Sequence, residues 1–567
     1  MHHNVAETYL QTLSQHGVEF LFANAGTDFA PIIEGYVTLG QRGIEVPRPV
    51  MASHENIAIS MAIGSWMVTG RMQACMVHVN VGTANAVCGL LNAARGNVPV
   101  LFTAGRTPIT ESGQFGSRNL GVHWTQEMFD QAGMVREAVK WEYELRAAVQ
   151  LEDVVRRAVQ VANAYPKGPV YLTLPREVLA AKTDVSTPAS SKSQKALISP
   201  PSLSADTAKD LLRMIGRSKT PLIITSQLGY DRKATSLLSE FIDATGVAVV
   251  EVSPSCVSLS SDHPLHAGYD PYALLGEADL VLVMDCPVPW IPDRVKLTPA
   301  AKVVHIGVDP LFSSLPMRSF ECDMACYSTA GEALEQLIAA LQVVELPVGS
   351  VERRKRQIGE LNAARRKKAA DHLATVKSQK PIHPAWVAHC IGECVGEDTI
   401  LLRESPQLSP AYLNLKRVGS SYSGHFAGGL GWGLGAAIGA KLAAPEATVI
   451  AVEGDGSYIF STPIAAHHSA LENDAPFLTI IMDNHGWNEV HAATTHVYPR
   501  GNAAGANKAE PLTYFSNDLR LERAVEAVGG TSFRVEDPAE LRTTLAKGLE
   551  IVRGGRQAVV SIVCSST

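Results

Sequence analysis

The sequence predicts an α/β protein built from three doubly wound parallel-sheet domains. Short apolar runs such as TPLIITSQLG, ADLVLVMDCP and ATVIAVEGDG alternate with helical patterns along the whole chain. This alternation is typical of parallel sheets with helices on both faces. The chain has 567 residues, which is too long for a domain with a single hydrophobic core. Two linker-like segments divide it into thirds.

The domain boundaries follow from these linkers. One is the Ser-, Pro- and Lys-rich stretch around 183–206, and the other is a charged stretch. The predicted parts are a first domain at 1–185, a central domain at 203–345, a linker at 346–380 and a third domain at 381–567. Basic clusters at 353–356 and 365–368 indicate either a solvated connecting helix or a docking site for a polyanion such as a CoA phosphate.

Composition narrows the class of partner. The formal net charge of −7 is spread along the chain, so neither a nucleic acid nor a membrane is expected to bind, and a small molecule fits better. Nine cysteines are scattered without paired spacing, and the first residues lack the apolar core of a signal peptide. We therefore expect a cytoplasmic protein with reduced cysteines.

Two strands of the third domain end in polar side chains. The strand ATVIAV is followed by Gly454, Asp455 and Gly456, Thr462-Pro463 then resembles the start of a helix, and the strand APFLTIIM ends at Asp483-Asn484. In a right-handed strand–helix–strand unit both strand ends emerge at the same edge of the sheet. Asp455 and Asn484 are therefore predicted to meet.

That edge is where ligands bind in open parallel sheets. Glycines allow close approach of a diphosphate, and hard oxygens beside phosphate select Mg²⁺. We expect an octahedron formed by the Asp455 carboxylate, the Asn484 amide oxygen, the Gly486 carbonyl, two diphosphate oxygens and a water molecule.

This Gly-Asp-Gly turn, followed after about two dozen residues by an asparagine, resembles the signature of thiamine diphosphate-dependent enzymes. The family's second half is more often Asn-Asn, so Asp483 is a departure. The resemblance covers essentially the whole chain, in the order pyrimidine-binding, central and diphosphate-binding domain of the acetolactate synthase and benzoylformate decarboxylase group. It implies a homodimer or homotetramer with active sites at subunit interfaces.

The segment VPRPVMASHENIAISMAIGSWMVTG resembles the stretch that carries the family's catalytic glutamate, which here is Glu55. The resemblance implies that Glu55 hydrogen-bonds the aminopyrimidine ring of the cofactor and drives it to the imino form. An apolar setting would raise the pKa of such a carboxyl. The alternative is a solvated residue in the first turn of a helix, favoured there by the helix dipole.

The resemblance assigns further cofactor contacts. Leu430 matches the apolar residue that bends the cofactor, and the Gly428 carbonyl matches the acceptor for the pyrimidine amine. Gln407 stands in a stretch where benzoylformate decarboxylase has diphosphate-binding hydroxyls. The remaining predicted contacts are Gly26, Thr27, Thr83, Asn85, Gly454, Gly456, Ser457 and Trp487.

Substrate-side residues are also implied by the resemblance. His78 matches a proton-relaying histidine of benzoylformate decarboxylase, although a histidine closing a buried strand is otherwise usually structural. Gln126, with His123 nearby, lies in a loop that resembles the one carrying an active-site glutamine in acetolactate synthases, or in an ordinary surface loop. His425 faces the cofactor if its loop follows the family.

Glu489 stands with Trp487 where family members place substrate-contacting residues. A carboxylate there disfavours small anionic substrates unless it is protonated or acts as an acid or base. The second histidine of benzoylformate decarboxylase has no match, because Pro289, Trp290 and Ile291 occur in its place. Acetolactate synthases carry FAD in the central domain, and TSQLGYDRKA gives no decisive signature, so FAD or another nucleotide stays possible.

Three functions remain open at this point. The first is a Mg²⁺- and thiamine diphosphate-dependent lyase, decarboxylase or carboligase acting on 2-oxo acids, with an aldehyde or ketone acceptor. The second is a 2-hydroxyacyl-CoA lyase or synthase, which Glu489 and the basic linker favour, although the ending VSIVCSST leaves no tail to close over a CoA. The third is a non-catalytic thiamine diphosphate-binding protein, which is expected to lose Glu55.

Overall fold

The computed structural model describes residues 3–183, 198–424, 426–506 and 510–566. They form two compact units. Unit 1 comprises the described residues within 1–198, 424–534 and 546–566, and unit 2 comprises those within 199–423 and 535–545. Residues 184–197 of the first predicted linker, and His425, lie outside the described residues.

The N-terminal part of unit 1 is a parallel α/β layer structure. Its six-stranded sheet has the order β3-β2-β4-β5-β7-β6, and a small antiparallel pair joins β1 to β8. The elements are β1 (His3–Asn4), α1 (Val5–Gln15), β2 (Phe20–Ala23), α2 (Ala30–Gln41), β3 (Arg48–Met51), α3 (Glu55–Thr69), β4 (Gln73–Val77), α4 (Val79–Arg95), β5 (Val100–Arg106), α5 (Val122–Thr125), β6 (Glu142–Glu144), α6 (Leu151–Asn163), β7 (Val170–Pro175), α7 (Arg176–Ala180) and β8 (Lys182–Thr183).

Unit 2 contains a five-stranded parallel sheet of order β10-β9-β11-β12-β13, with apolar clusters on both faces. Strands β14 and β15 also pair in parallel. The elements are α8 (Ala205–Arg217), β9 (Pro221–Thr225), α9 (Arg232–Thr245), β10 (Ala248–Glu251), α10 (Tyr272–Leu275), β11 (Leu280–Met284), β12 (Lys302–Gly307), β13 (Met324–Tyr327), α11 (Ala330–Ala340), α12 (Val348–Val376), α13 (Pro384–Cys394), β14 (Thr399–Glu404), α14 (Pro410–Leu413) and β15 (Ser421–Ser423).

The chain returns to unit 1 after β15. Strands β16, β17 and β19 pair in parallel there. The remaining elements are α15 (Gly433–Ala443), β16 (Thr448–Gly454), α16 (Asp455–Phe460), α17 (Pro463–Glu472), β17 (Leu478–Asp483), α18 (Asn488–Val497), β18 (Thr531–Val535), α19 (Leu541–Arg553) and β19 (Ala558–Val563). The predicted fold class, with its three parallel-sheet α/β parts, is confirmed.

Helices α3 and α15 pack against each other at very short range inside unit 1. A Cβ on Gly64 would lie 2.1 Å from the backbone oxygen of Ala436, and one on Gly439 would lie 1.9 Å from that of Met61. Only glycine fits where two helix backbones approach this closely. The small residues of both helices therefore join the first and last parts of unit 1.

The charged linker forms the long helix α12, and its basic residues have different roles. Arg354 is buried and donates hydrogen bonds to the carbonyl oxygens of Thr245, Ile215 and Ser218, at the carboxyl ends of α9 and α8. Cationic donors at helix carboxyl ends satisfy unpaired carbonyls and oppose the dipole. Arg354 is thus committed to the interior of unit 2 and is not free to bind a polyanion.

Two local features differ from expectation. Helix α17 begins at Pro463 as predicted, but Thr462 has a φ of 47° and its hydroxyl does not cap the helix. The segment between Asp455 and Phe460, expected to be a turn, is the short helix α16. No helix in the described ranges is both long and apolar enough to cross a membrane.

Candidate active site

The ends of β16 and β17 meet, as the strand–helix–strand prediction required. Asp455 is buried at the start of α16, and its Oδ1 accepts from the backbone N–H of Gly456 at 2.8 Å. Its Oδ2 accepts from the backbone N–H of Gly486, in the turn after β17, at 3.0 Å. Asn484, also buried, lies in the same turn. The carboxylate therefore fixes the two turns against each other.

Burial raises the pKa of Asp455 to about 7, against the lowering effect of the backbone hydrogen bonds from Gly486 and Gly456. The ion pairs within the described ranges give this carboxylate no basic partner. Asp455 is a buried carboxylate that is hydrogen-bonded to the turn carrying Asn484 and Gly486. This setting of oxygen-bearing groups suits a hard divalent cation, which would favour the ionised form. The residues present thus fit the predicted magnesium site.

Asp483, the departure from the family's Asn-Asn pair, has its own partners. Its Oδ2 lies 3.0 Å from Arg534 Nη1, and its Oδ1 lies 3.1 Å from His485 Nδ1. Its backbone oxygen accepts from Cys564 N–H at 2.9 Å. The negative charge is therefore balanced next to β19, and the extra carboxylate does not leave an unpaired charge beside Asp455.

Trp487 packs against the start of α16. Its ring stacks edge-on against Phe515 at 4.8 Å and Phe460 at 5.6 Å. A Cβ on Gly456 would lie 2.4 Å from this ring, so Gly456 is required for the tryptophan to fit. Trp487 is half-buried, whereas Glu489, in the first turn of α18, is exposed.

Glu453 is a buried carboxyl group that the sequence reasoning did not single out. It lies in β16, and its Oε2 accepts from the Ser461 hydroxyl at 3.0 Å. Burial raises its pKa to about 8. The hydrogen bond fastens the residue that follows α16 to the strand that precedes it. The signal was present in the sequence as an acidic residue within a strand of otherwise apolar character.

Glu55 is the first residue of α3 and is only 9% exposed, so it is not the solvated residue of the alternative interpretation. Its Oε2 accepts from the Asn85 side-chain amide at 3.0 Å. A Cβ on Gly82 would lie 3.3 Å from its Oε1, so α4 approaches this carboxylate closely. One of the predicted cofactor contacts, Asn85, thus positions the predicted catalytic glutamate.

His78 forms a hydrogen-bonded group with a residue that the sequence reasoning missed. Its Nδ1 lies 2.5 Å from Oδ1 of buried Asp28, and its Nε2 lies 3.4 Å from the Gln126 amide. The hydrogen bond to Asp28 is the main cause that raises the pKa of His78. The space for this pair comes from glycine, since a Cβ on Gly26 would lie 2.1 Å from His78 Nδ1.

Other predicted residues of the first domain have partners of their own. Thr83 is fully buried, and its hydroxyl bonds Val79 O and the Tyr171 hydroxyl, each at 2.7 Å. His123 is buried and accepts from Asn119 N–H at 3.2 Å, and its pKa is lowered by burial and by nearby arginines. Thr27 is exposed. Direct cofactor contact by these residues stays a prediction.

The predicted loop contacts are partly exposed. Leu430 is 37% exposed and Gly428 has a φ of 72°, within a loop that precedes α15. Gln407 follows β14 in unit 2. His425 lies outside the described residues. For all four, the predicted role is untested.

In the five-stranded sheet of unit 2, the turn after β9 packs against neighbouring backbone at the carboxyl ends of the strands. After β9, Gln227 N–H donates to the Asp285 carbonyl at 3.1 Å, and a Cβ on Gly229 would lie 2.4 Å from Val257 O. Gly229 therefore serves close packing of backbone on backbone. In the described part of unit 2, this turn does not form a glycine-lined phosphate loop, and a central nucleotide stays an open prediction.

Comparison with known proteins agrees with this geometry. Three family models match: "Thiamine pyrophosphate enzyme, N-terminal TPP binding domain" at residues 3–134, the "central domain" at 208–337 and the "C-terminal TPP binding domain" at 407–562. The chain is 24% identical to acetolactate synthase isozyme 3 large subunit of Escherichia coli, over 98% of this chain and 94% of that protein.

Two further relatives extend the range of chemistry. The chain is 28% identical to benzoylformate decarboxylase of Pseudomonas aeruginosa, over 84% of each chain, and 22% identical to 2-hydroxyacyl-CoA lyase 2 of Danio rerio, over 99% of this chain and 92% of that protein. Among solved structures, the thiamine diphosphate-dependent 4-hydroxybenzoylformate decarboxylase of Rhodococcus jostii shares the fold, with a TM-score of 0.77, 22% identity and 99% of each chain covered. The chain belongs to the thiamine diphosphate-dependent enzymes of the acetolactate synthase and benzoylformate decarboxylase group.

Proposed function

We propose that this enzyme, with Mg²⁺ and thiamine diphosphate, breaks or forms the carbon–carbon bond next to the carbonyl of a 2-oxo acid. The observation that carries the proposal is the buried Glu55 carboxylate, held by Asn85 and approached by Gly82. A protein that only binds the cofactor has no need to keep a carboxylate out of water at this position, because burying a charge is costly.

Different residues of the chain would hold the metal ion and the proton of the cofactor ring. Asp455, Asn484 and the Gly486 carbonyl would hold the metal ion and through it the diphosphate. Glu55 would hydrogen-bond the aminopyrimidine and hold the proton shared with that ring. The bound cofactor supplies a nucleophilic carbon and an electron sink for the bond that breaks.

The group formed by His78, Asp28 and Gln126 suits an anionic substrate. Asp28 favours the protonated form of His78, and a protonated imidazole can bind a carboxylate or deliver a proton. The Gln126 amide, 3.4 Å from His78 Nε2, offers a further polar contact. These are the residues that we assign to the substrate's carboxylate or carbonyl.

A 2-hydroxyacyl-CoA lyase is the second candidate. The relative from Danio rerio carries that name, and the chain matches nearly its whole length. Exposed Glu489 offers a carboxylate at the predicted substrate side. The basic helix α12 supports this candidate less than its sequence suggested, because Arg354 is buried among carbonyl oxygens.

We also propose a homodimer or homotetramer with sites at the subunit interface, as the family resemblance implies, and a cytoplasmic location, as the scattered cysteines and the first residues indicate. Sedimentation or light scattering of the purified protein tests the assembly: a monomer that is active at all concentrations would contradict it.

The proposed reaction is tested by measuring CO₂ release from a panel of 2-oxo acids with thiamine diphosphate and Mg²⁺ present. Glu55→Gln is the blank. Release above the blank supports a decarboxylating step and identifies the donor. If no acid releases CO₂ while the cofactor is bound, and a 2-hydroxyacyl-CoA is cleaved to an aldehyde, the second candidate replaces the first.

A further inference from the structure

One face of α4 contacts two separate parts of unit 1. Asn85, Cys88 and Asn92 are three and four residues apart and lie along one side of the helix. At one end, the Asn85 amide donates to Glu55 Oε2 at 3.0 Å. Towards the other end, the helix contacts the loop 426–430, which contains two predicted cofactor contacts.

Asn92 binds one residue of that loop with both ends of its amide group. Its Nδ2 donates to Gly429 O at 2.8 Å, and Gly429 N–H donates to its Oδ1 at 3.2 Å. Asn92 is 2% exposed, so water does not compete for these hydrogen bonds. A neutral amide can donate and accept at once, which fixes both the position and the orientation of the Gly429 backbone.

The loop 426–430 needs hydrogen bonds of this kind because its glycines allow the backbone many conformations. Gly428 and Gly431 have φ values of 72° and 87°, a region that glycine enters freely. A Cβ on Gly429 would lie 2.7 Å from Cys88 Sγ, so the loop backbone rests directly on α4. Close packing and two buried hydrogen bonds together hold the segment.

We infer that Asn92 is a positioning residue that holds the Gly428–Leu430 loop in place for the cofactor and ties it, through α4, to Glu55. The inference rests on the proposed function and on the cofactor contacts that the resemblance implies. In these, the Gly428 carbonyl accepts a hydrogen bond from the pyrimidine amine, Leu430 bends the cofactor and Glu55 hydrogen-bonds the ring. In the proposed dimer, where Glu55 of one chain completes the site of its neighbour, α4 joins the two sites.

Helix α4 is well suited to this task because it is fixed on its other side as well. A Cβ on Gly89 would lie 2.3 Å from Ile59 Cγ2, so α4 lies tightly against α3, whose first residue is Glu55. Losing the Asn92 amide would release the loop while leaving the Asn85–Glu55 hydrogen bond in place. The loop and the glutamate can therefore be separated by experiment.

The test uses the full-length Asn92→Ala variant with thiamine diphosphate and Mg²⁺. The cofactor dissociation constant is measured by tryptophan fluorescence, and exchange of the cofactor C2 proton in D₂O is measured at saturation by acid quench and NMR. We expect the dissociation constant to rise about tenfold or more, the scale of one to two hydrogen bonds, and exchange to slow by about the same factor. A purely structural role would lower the melting temperature without slowing exchange in the saturated, folded enzyme.

Two further variants keep the test decisive. Asn92→Asp preserves size but turns a carboxylate oxygen towards Gly429 O, and it is expected to act in the same direction as Asn92→Ala. Asn362→Ala is the matched control, because Asn362 is equally buried and its Nδ2 donates to Pro264 O at 2.7 Å within unit 2. We expect this control to lower stability and leave cofactor affinity and exchange unchanged.

The outcomes separate the inference from the proposed function. A folded Asn92→Ala or Asn92→Asp variant with wild-type affinity and exchange would overturn the inference alone. If Asn92→Ala does not fold, the Asp variant decides. If the wild-type protein with Mg²⁺ binds no thiamine diphosphate, the proposed function fails and this inference fails with it.

Discussion

Asp28 Oδ1 lies 2.5 Å from Nδ1 of His78, the residue that directly follows β4. Asp28 is 3% exposed, and a Cβ on Gly105 would overlap its carboxylate at 1.7 Å, so glycine at 105 makes room for it. Because Nδ1 of His78 is hydrogen-bonded to Asp28, its other ring nitrogen, Nε2, is the one that lies near the Gln126 amide. This arrangement defines which nitrogen can serve a substrate.

Replacing Asp28 by Asn removes the negative charge and keeps the size of the side chain. Because Asp28 raises the pKa of His78, its removal lowers that pKa, and the pH range in which His78 is protonated shrinks from the alkaline side. If turnover needs the protonated form, the alkaline limb of the kcat/KM profile moves to lower pH. The measurement is the pH–rate profile of both proteins on the substrate that the panel identifies, and an unchanged alkaline limb would contradict this role.

The same pair links stability to pH. The folded-state pKa of His78 is raised, so its contribution to stability is complete below the unfolded value of about 6.5 and is lost as pH rises through the folded pKa. We therefore expect the difference in melting temperature between wild type and Asp28→Asn to be larger at pH 6 than at pH 9. A difference that grows towards high pH would refute the assignment of the charge.

Asp455→Ala is expected to abolish Mg²⁺-dependent retention of the cofactor. The substitution removes the carboxylate that accepts from the backbone N–H groups of Gly456 and Gly486, so both the proposed metal ligand and the link between the two turns are lost. Gel filtration in the presence of Mg²⁺, followed by thiamine analysis, measures retention. Glu446→Ala, which changes an exposed acidic residue just before β16, is the control and should retain the cofactor. An Asp455→Ala protein that stays loaded would disprove the anchor.

Arg354→Ala is expected to lower the free energy of unfolding by about 2–4 kcal/mol, because carbonyl oxygens of Thr245, Ile215 and Ser218 lose a buried cationic donor. The matched control is Arg353→Ala, the exposed neighbour on the same helix, with an expected effect within about 0.5 kcal/mol. Thermal unfolding by calorimetry distinguishes them. Equal effects would mean that α12 is held by something other than Arg354.

Gly64→Ala should destabilise the contact between α3 and α15 by about 1–3 kcal/mol or more, because the new Cβ would lie 2.1 Å from Ala436 O and meets backbone rather than a movable side chain. Gly359→Ala is the control inside a helix, with open space around the new Cβ, and should stabilise by up to about 1 kcal/mol. Melting temperatures of the two variants should therefore move in opposite directions. If both rise, the close packing of the two helices is not limiting.

The fold and the meeting of the ends of β16 and β17 were predictable because their signals are local. Apolar strands ending in Gly454–Gly456 and in Asp483-Asn484 specify a parallel unit, and handedness then brings both ends to one edge. The short helix α16 and the left-handed Thr462 were missed. This segment packs against residues from other parts of the chain, since the Phe460 ring lies 5.6 Å from that of Trp487 and a Cβ on Gly431 would lie 2.4 Å from the Phe460 backbone oxygen.

The pairings between distant segments could not be read from the sequence. Asp28 precedes His78 by 50 residues, and Asn92 precedes Gly429 by 337. No periodicity connects such positions, and each residue alone is ordinary in its element. Arg354 was missed for a different reason. The basic cluster at 353–356 predicted an exposed helix face, but this one member of the cluster is buried.

Whether Glu55 activates the cofactor is tested most sharply by the exchange of the C2 proton of bound thiamine diphosphate, compared between wild type and Glu55→Gln with Mg²⁺ present. This measurement needs no knowledge of the substrate. We predict near-equal cofactor affinity, rapid exchange in the wild type, at least about a hundredfold slower exchange in Glu55→Gln, and no turnover by that variant. Exchange at the wild-type rate in a loaded Glu55→Gln protein would show that Glu55 does not activate the cofactor and would contradict the proposed mechanism.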